Sequence, residues 1–221
     1  MDDDIRIIRS ERKSLTVQVL ADGSVQVRAP RRLAMSAIKA FVAQHQSWIV
    51  RQQARQAAIP RQRWRHGDSL PVLGVPYYLE LEQGRSAVRS EGCRLQVRLL
   101  HPDSEDDVAL QVERWLRRQA NEVYSESIDR QFVWFAAQGL QRPTLRIKKM
   151  RTRWGSLSAR GYINLNLSLM HYPTEIVDYV VMHELCHLKY MHHGPEFHAL
   201  MDARMPDWRE RKKQLNAPQH R

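Results

Sequence analysis

Residues His183-Glu184-Leu185-Cys186-His187 constrain this chain more than any other segment. Around them Ile176, Val177, Val180, Val181, Leu185 and Leu188 recur at spacings of three and four. That periodicity predicts a largely buried helix from about Glu175 to Met191. Thr174 suits the N-cap, and Glu175 and Asp178 place negative charge in the first turn, where the helix dipole favours it. Residues four apart share a helical face, so His183 and His187 lie one turn above the other. Burying two imidazoles and a carboxylate in such a helix is costly without partners. A zinc ion gripped by both imidazoles removes that cost, and Glu184 between them can act on a zinc-bound water.

A catalytic zinc takes three protein ligands and keeps one position for water. His193, six residues after His187, has the interval at which some zinc peptidases place their third histidine, with a glycine midway. Here Tyr190 occupies the midway position. The chain must therefore turn later, with His192 a candidate for positive φ as the helix ends. Gly194-Pro195 then breaks the helix, and a new one starts at Pro195. His192 and His198 are rival ligands, and Glu196 is a further candidate for a ligand or supporting role. Cys186 points about 100° away from His187 around the helix and reads as a packing residue.

Four stretches carry a resemblance: Arg153-Trp154-Gly155-Ser156, Ile163-Asn164-Leu165-Asn166-Leu167, Tyr179 through His187, and His193-Gly194-Pro195-Glu196-Phe197. Together they resemble the bacterial YgjP-like metallopeptidase family, which is related to the SprT and WLM zinc peptidases. The resemblance is dense from about Leu145 to Phe197 and looser over nearly the whole chain. It implies His183, His187 and His193 as zinc ligands and Glu184 as the catalytic glutamate. Two positions depart from the family pattern. Leu157 stands where relatives often carry cysteine, and His192 where they often carry asparagine.

With 221 residues, 43% hydrophobic and 27% charged, the chain has the composition of a soluble globular protein. No apolar run approaches 18 residues, so no membrane helix is expected. Met1-Asp2-Asp3-Asp4 is acidic and lacks the apolar stretch of a secretory signal. The two cysteines, Cys93 and Cys186, sit in different contexts, which argues against a disulfide framework and for a reducing cytoplasm. The net charge of +11 attracts polyanions. Its clusters lie at Arg9 to Lys13, Arg61 to Arg65, Arg146 to Arg153 and Arg209 to Lys213. They are compatible with a basic solvated surface and with a nucleic-acid face. The cluster from Arg146 leads into Trp154 and the candidate site.

Short strands open the chain at Ile5 to Ile8, Leu15 to Val19 and Val25 to Arg28, with a hairpin turn at Ala21-Asp22-Gly23-Ser24. A helix is predicted from about Ser36 to Ala54. Further strands are predicted at Leu70 to Leu73, Tyr77 to Leu81 and Arg94 to Leu100, with Gly74-Val75-Pro76 as a turn. Ser104 opens a long helix, with Asp107 placed for a capping interaction, running to about Ala137 before Gly139. Strands follow at Thr144 to Lys149 and Tyr162 to Leu167. In the second, Ile163, Leu165 and Leu167 alternate with Asn164 and Asn166, as in a half-buried strand. Asn164, Asn166 and Trp154 are candidates for substrate binding, since such peptidases add an extended substrate to a sheet edge.

The expected fold is α+β: a small N-terminal β-rich α/β region over residues 1–102, a zincin-like core over 103–216 with a long helix, a short sheet and the HExxH helix, and a frayed tail over 217–221. The expected function is a zinc-dependent metallohydrolase with one Zn2+ per chain, most readily a peptidase in which Glu184 activates a zinc-bound water. Tyr179, Tyr190 and His171 are candidates to stabilise the oxyanion. The expected partner is a polypeptide substrate, possessing nucleic acid as an associate if the basic surface recruits it. Two alternatives stand beside this reading. The resemblance admits a nucleotide (UTP) pyrophosphatase, although no glycine-rich phosphate loop is present. The charge admits a basic nucleic-acid-binding module with lost or secondary peptidase activity.

Overall fold

The computed structural model describes the backbone of residues 5–20, 23–58 and 63–217, and the side chains of these residues except 55–58. The expected turn residues Ala21 and Asp22, the start Met1 to Asp4, Arg61 and Gln62 of one basic cluster, and the tail beyond residue 217 lie outside the described residues. The chain divides into two compact units, Met1–Gln62 and Arg63–Arg221.

In the first unit β1 (Ile5–Ser10), β2 (Thr16–Val19) and β3 (Val25–Pro30) form a sheet in the order β1-β3-β2. β3 is parallel to β1 and antiparallel to β2. Two helices follow, α1 (Met35–Gln44) and α2 (Gln46–Ala58), where the sequence predicted one. The break falls at His45, whose ring Nδ1 lies 2.8 Å from the Phe41 carbonyl and competes there with the helical N–H bond. Val25, Val27, Ile38 and Ile49 form the core of this unit.

The second unit begins with β4 (Ser69–Val72), β5 (Val75–Gln83), β6 (Ala87–Glu91) and β7 (Arg94–Leu99), in the order β4-β5-β7-β6. The turn between β4 and β5 is Leu73-Gly74 rather than Gly74-Val75-Pro76, because Val75 and Pro76 pair with Val72 and Pro71. Both turn residues are left-handed, with φ of 50° and 80°, as a two-residue hairpin demands. The Leu73 N–H donates to the Met170 carbonyl at 2.7 Å. This sheet shares one buried core with the rest of the unit: Leu79, Leu95 and Val97 cluster with Val108, Val112, Ile163 and Leu165. The boundary between compact units falls at Gln62/Arg63.

α3 (Glu105–Ala136) is the spine. The Ser104 side chain accepts the Asp107 N–H at 3.3 Å, and Glu105, Asp106 and Asp107 occupy the first turn. Val108, Val112, Leu116, Ala120, Tyr124 and Ile128, four residues apart, form its buried stripe. Next come β8 (Thr144–Lys148), β9 (Gly155–Leu157) and β10 (Tyr162–Asn166), in the order β8-β10-β9. β10 is parallel to β8 and antiparallel to β9. A 3-10 helix (Leu167–His171) leads to α4 (Thr174–Cys186), α5 (Pro195–Arg204) and α6 (Trp208–Asn216). The fold is thus α+β. Among the described residues no helix is long and apolar enough to cross a membrane.

Candidate metal centre

α4 begins one residue earlier than expected. Pro173 takes the N-cap position and Thr174 the first turn. Asp178 does not serve the helix dipole. Its carboxylate accepts the Ser127 hydroxyl and an Arg130 N–H, both at 2.6 Å, and ties α4 to the α3 spine. The helix also ends at Cys186, short of Met191. Leu188 N–H donates to Leu185 O, and both Lys189 and Tyr190 N–H donate to Cys186 O, which tightens the chain into a turn. This turn needs no left-handed residue: among described residues the one non-glycine positive φ belongs to Leu73, and His192 has none.

The early turn brings His193 back to the helix. Its Nε2 lies 3.0 Å from His183 Nε2 and 3.1 Å from His187 Nε2. One nitrogen from each of the three rings lies within 4.8 Å of the others. His187 Nδ1 lies 2.9 Å from the Tyr190 carbonyl and donates its proton there, which turns Nε2 toward the cluster. The Phe197 ring, 1% exposed, packs against all three imidazoles, with centroids 4.7 to 5.0 Å away. Burial, then the charges of His187, His193 and Lys212, lower the His183 pKa to about 3, so this ring is neutral. His193 is lowered as well, first by burial and then by its histidine neighbours. The rivals lie elsewhere. His198 stacks on Trp208 at 5.7 Å between ring centroids, and His192 and Glu196 are exposed.

Glu184 is 5% exposed, and burial raises its pKa to about 7. The backbone N–H of Leu157 and the charge of Arg153 oppose that shift. Gly155 packs directly on its carboxylate: a Cβ there would stand 2.6 Å from Oε1 and 2.8 Å from Cγ. The short strand β9 thus seats the glutamate from the side of the sheet. Sequence reading missed this role, as it missed that of Phe197. The signal was present in Trp154-Gly155-Ser156, since a glycine in a strand marks a close approach.

A cleft of about 220 Å³ opens beside these groups, lined by Trp154, Gly155, Tyr179, His183, Glu184 and Lys212 among others. Of the three candidate oxyanion donors, Tyr179 lines it. Burial and the charge of Glu184 raise the Tyr179 pKa to about 12, so the phenol keeps its proton. Tyr190 contributes its carbonyl to His187, and His171 Nδ1 lies 2.8 Å from the Pro71 carbonyl. Cys186 is buried against Met201, its thiol pushed up to about 12 by burial, which makes it a packing residue.

The two strand asparagines do not face solvent. Asn164 and Asn166 are 6% and 3% exposed. Asn164 Nδ2 donates to Ser156 O at 3.1 Å. Asn166 Nδ2 donates to Met150 O at 2.7 Å and Arg153 O at 2.9 Å, while its Oδ1 accepts the Ser168 N–H at 3.2 Å. Asn166 therefore holds the loop before Trp154 in place, and its side chain is committed to the protein. β10 is buried on both faces because it is the central strand and this loop folds back over it.

Three imidazoles thus converge beside a buried glutamate whose carboxylate packs on Gly155 of β9. The chain matches the YgjP-like, metallopeptidase domain family over residues 13–218. It belongs to that family. As a YgjP-like protein it is a metallopeptidase, and the family implies a bound metal ion. Among solved structures it is similar to the metallopeptidase zymogen abylysin of Pyrococcus abyssi, at 22% identity over 46% of this chain and 96% of that one, with a TM-score of 0.37. It is also similar to the zymogen jannalysin of Methanocaldococcus jannaschii, at 19% identity over 43% of this chain and 91% of that one, with a TM-score of 0.35. A comparison with curated proteins finds no match.

Proposed function

We propose that His183, His187 and His193 hold one Zn2+ per chain and that Glu184 is the general base of peptide-bond hydrolysis. The donor set fits the ion. Tetrahedral zinc at Zn–N distances of about 2.0–2.1 Å sets ligand nitrogens about 3.3 Å apart. The two His193 separations, 3.0 and 3.1 Å, come close to that spacing. Three imidazole nitrogens converging, with one ring oriented by the Tyr190 carbonyl, is the observation that carries the reading. His193 is exposed, which leaves a side open to water and substrate.

Zinc in such a site supplies a Lewis acid for the scissile carbonyl and lowers the pKa of a water. The chain's own groups do the rest. Glu184, with a raised pKa, takes a proton from the attacking water as its oxygen bonds to the carbonyl carbon. It then delivers that proton to the amide nitrogen as the C–N bond breaks. The Leu157 N–H and Gly155 hold the carboxylate in place for both transfers. The Tyr179 hydroxyl donates to the developing oxyanion from the same cleft. Glu184→Gln tests the assignment: it should abolish peptide cleavage while one zinc per chain is retained. Cleavage surviving in that variant would refute the role of Glu184. Nucleotide hydrolysis with no peptide cleavage by wild type would favour the pyrophosphatase.

A specific feature favours nucleic acid as an associate of the substrate. Arg146, Lys148 and Arg160, none in an ion pair among the described residues, border a pocket of about 250 Å³ on the outer face of the β8–β10 sheet. The Arg146 guanidinium lies 3.4 Å over the Tyr162 ring. Salt-sensitive binding of a DNA duplex by the Glu184→Gln variant, weakened by replacing these three cations, would support recruitment. No binding at physiological salt would remove it.

A further inference from the structure

The cleft beside Glu184 does not stop at Trp154. A larger pocket of about 670 Å³ adjoins it, and Trp154 and Asn216 line both. Arg151, Arg153 and His171 contribute to its wall, with the hydroxyls of Thr152 and Ser168. Among the described residues no carboxylate lines it. Among the described residues Glu184 is the one carboxylate lining the smaller cleft. Among the described residues the two adjoining cavities thus hold one buried acid, Glu184, in the smaller and Arg151, Arg153 and His171 along the larger.

The walls are built. Asn166 fastens the loop of Met150 to Arg153 through bonds to Met150 O and Arg153 O, and the Asn166 N–H donates to Trp154 O at 2.9 Å. His171 is anchored on Pro71 O. Trp154 itself is braced edge-on against Tyr172, with ring centroids 5.2 Å apart. Arg153 has no ion pair among the described residues. A cation on a fastened loop, bordered by Thr152 and Ser168 and with no ion pair among the described residues, is suited to charge-assisted bonds with an external carboxylate.

We propose that this pocket is a specificity subsite for an acidic stretch of the polypeptide substrate, with Arg153 as its principal recognition residue and Arg151 in support. The inference rests on the peptidase reading of the histidine centre. An extended peptide advances about 3.3 Å per residue, so a chain crossing Trp154 places side chains in the larger pocket a few residues from the scissile bond. Glu or Asp there meets guanidinium and hydroxyl donors. Lys or Arg there meets like charge.

The test uses the Glu184→Gln protein and matched peptides that differ only in carrying Glu, Gln or Lys in one flank. Binding is read by Trp fluorescence and by calorimetry, alongside cleavage of the same peptides by wild type. The Glu peptide should bind about tenfold more tightly than the Lys peptide at low salt, and Arg153→Ala should abolish most of that difference while leaving the Gln peptide nearly unchanged. Arg153→Lys should restore part of it. Equal binding of the three peptides would overturn the subsite, and wild-type cleavage of all three would leave the peptidase reading standing. Charge-selective binding without any cleavage would keep the subsite and reject the peptidase reading. An oligonucleotide that displaces the Glu peptide at lower concentration than the peptide itself would assign the pocket to nucleic acid and overturn the proposal.

Discussion

Gly155 lies so close to Glu184 that a single added Cβ would stand 2.6 Å from the carboxylate oxygen Oε1. Its backbone is not left-handed, so the glycine is required by space and not by conformation. Gly155→Ala should therefore fold, displace the Glu184 carboxylate and lower kcat by about tenfold or more, with metal content unchanged. Kinetics with elemental analysis on the same sample check this. An unchanged kcat would show that the carboxylate re-seats freely.

Phe197 is the common floor of the three imidazoles. Replacing it with Leu should preserve the core and loosen the rings, so zinc affinity measured by chelator competition should fall. Phe197→Ala removes a fully buried ring and should cost about 3–5 kcal/mol of stability, read by denaturant unfolding. Equal zinc affinity in wild type and Phe197→Leu would mean that the rings are positioned without it.

The buried Glu184 carboxyl has a folded pKa raised from 4.5 to about 7. The folded metal-free protein then binds more protons than the unfolded chain between these values, so this group's contribution falls as pH rises through that window. His183 acts oppositely: its depressed pKa of about 3 gives a contribution that is lost as pH falls below 6.5. Comparison with Glu184→Gln isolates the first effect. Relative to that variant, metal-free wild type should lose up to about 3 kcal/mol between pH 4.5 and 7. Parallel stability curves for the two proteins would contradict the burial-driven shift.

Tyr179 lines the cleft with its hydroxyl protonated. Tyr179→Phe should lower kcat by roughly 10²–10³ with KM and zinc content little changed, as expected for loss of one oxyanion donor. An effect on KM alone would make Tyr179 a binding residue.

The histidine pair and the long helix were legible in the sequence because a 3.6-residue period and cap chemistry are local properties. Ser104, Gly139 and Pro195 mark their helix ends as read. The place of His193 was legible as a spacing and through the resemblance. The turn that accomplishes it uses tightened hydrogen bonds after Cys186 instead of the left-handed His192 that local chemistry suggested. β9 and β6 were not legible: β9 has three residues, and in β6 only Val88 is partly buried, so neither shows alternation. Asn164 and Asn166 looked solvent-facing because alternation was read as one buried face. The partners that bury them come from Ser156 and the 150–153 loop, and no local pattern announces such contacts. The shared core of β4 to β7 and α3 is likewise a long-range property that no local pattern carries.

The most direct test of the three-histidine centre is elemental analysis of wild type and His193→Ala, both purified without a metal-chelating tag. Wild type should carry one zinc per chain, and the variant should lose most of it. Full zinc retention in His193→Ala, or a wild-type protein that takes up no metal after zinc is restored, would contradict the three-histidine centre.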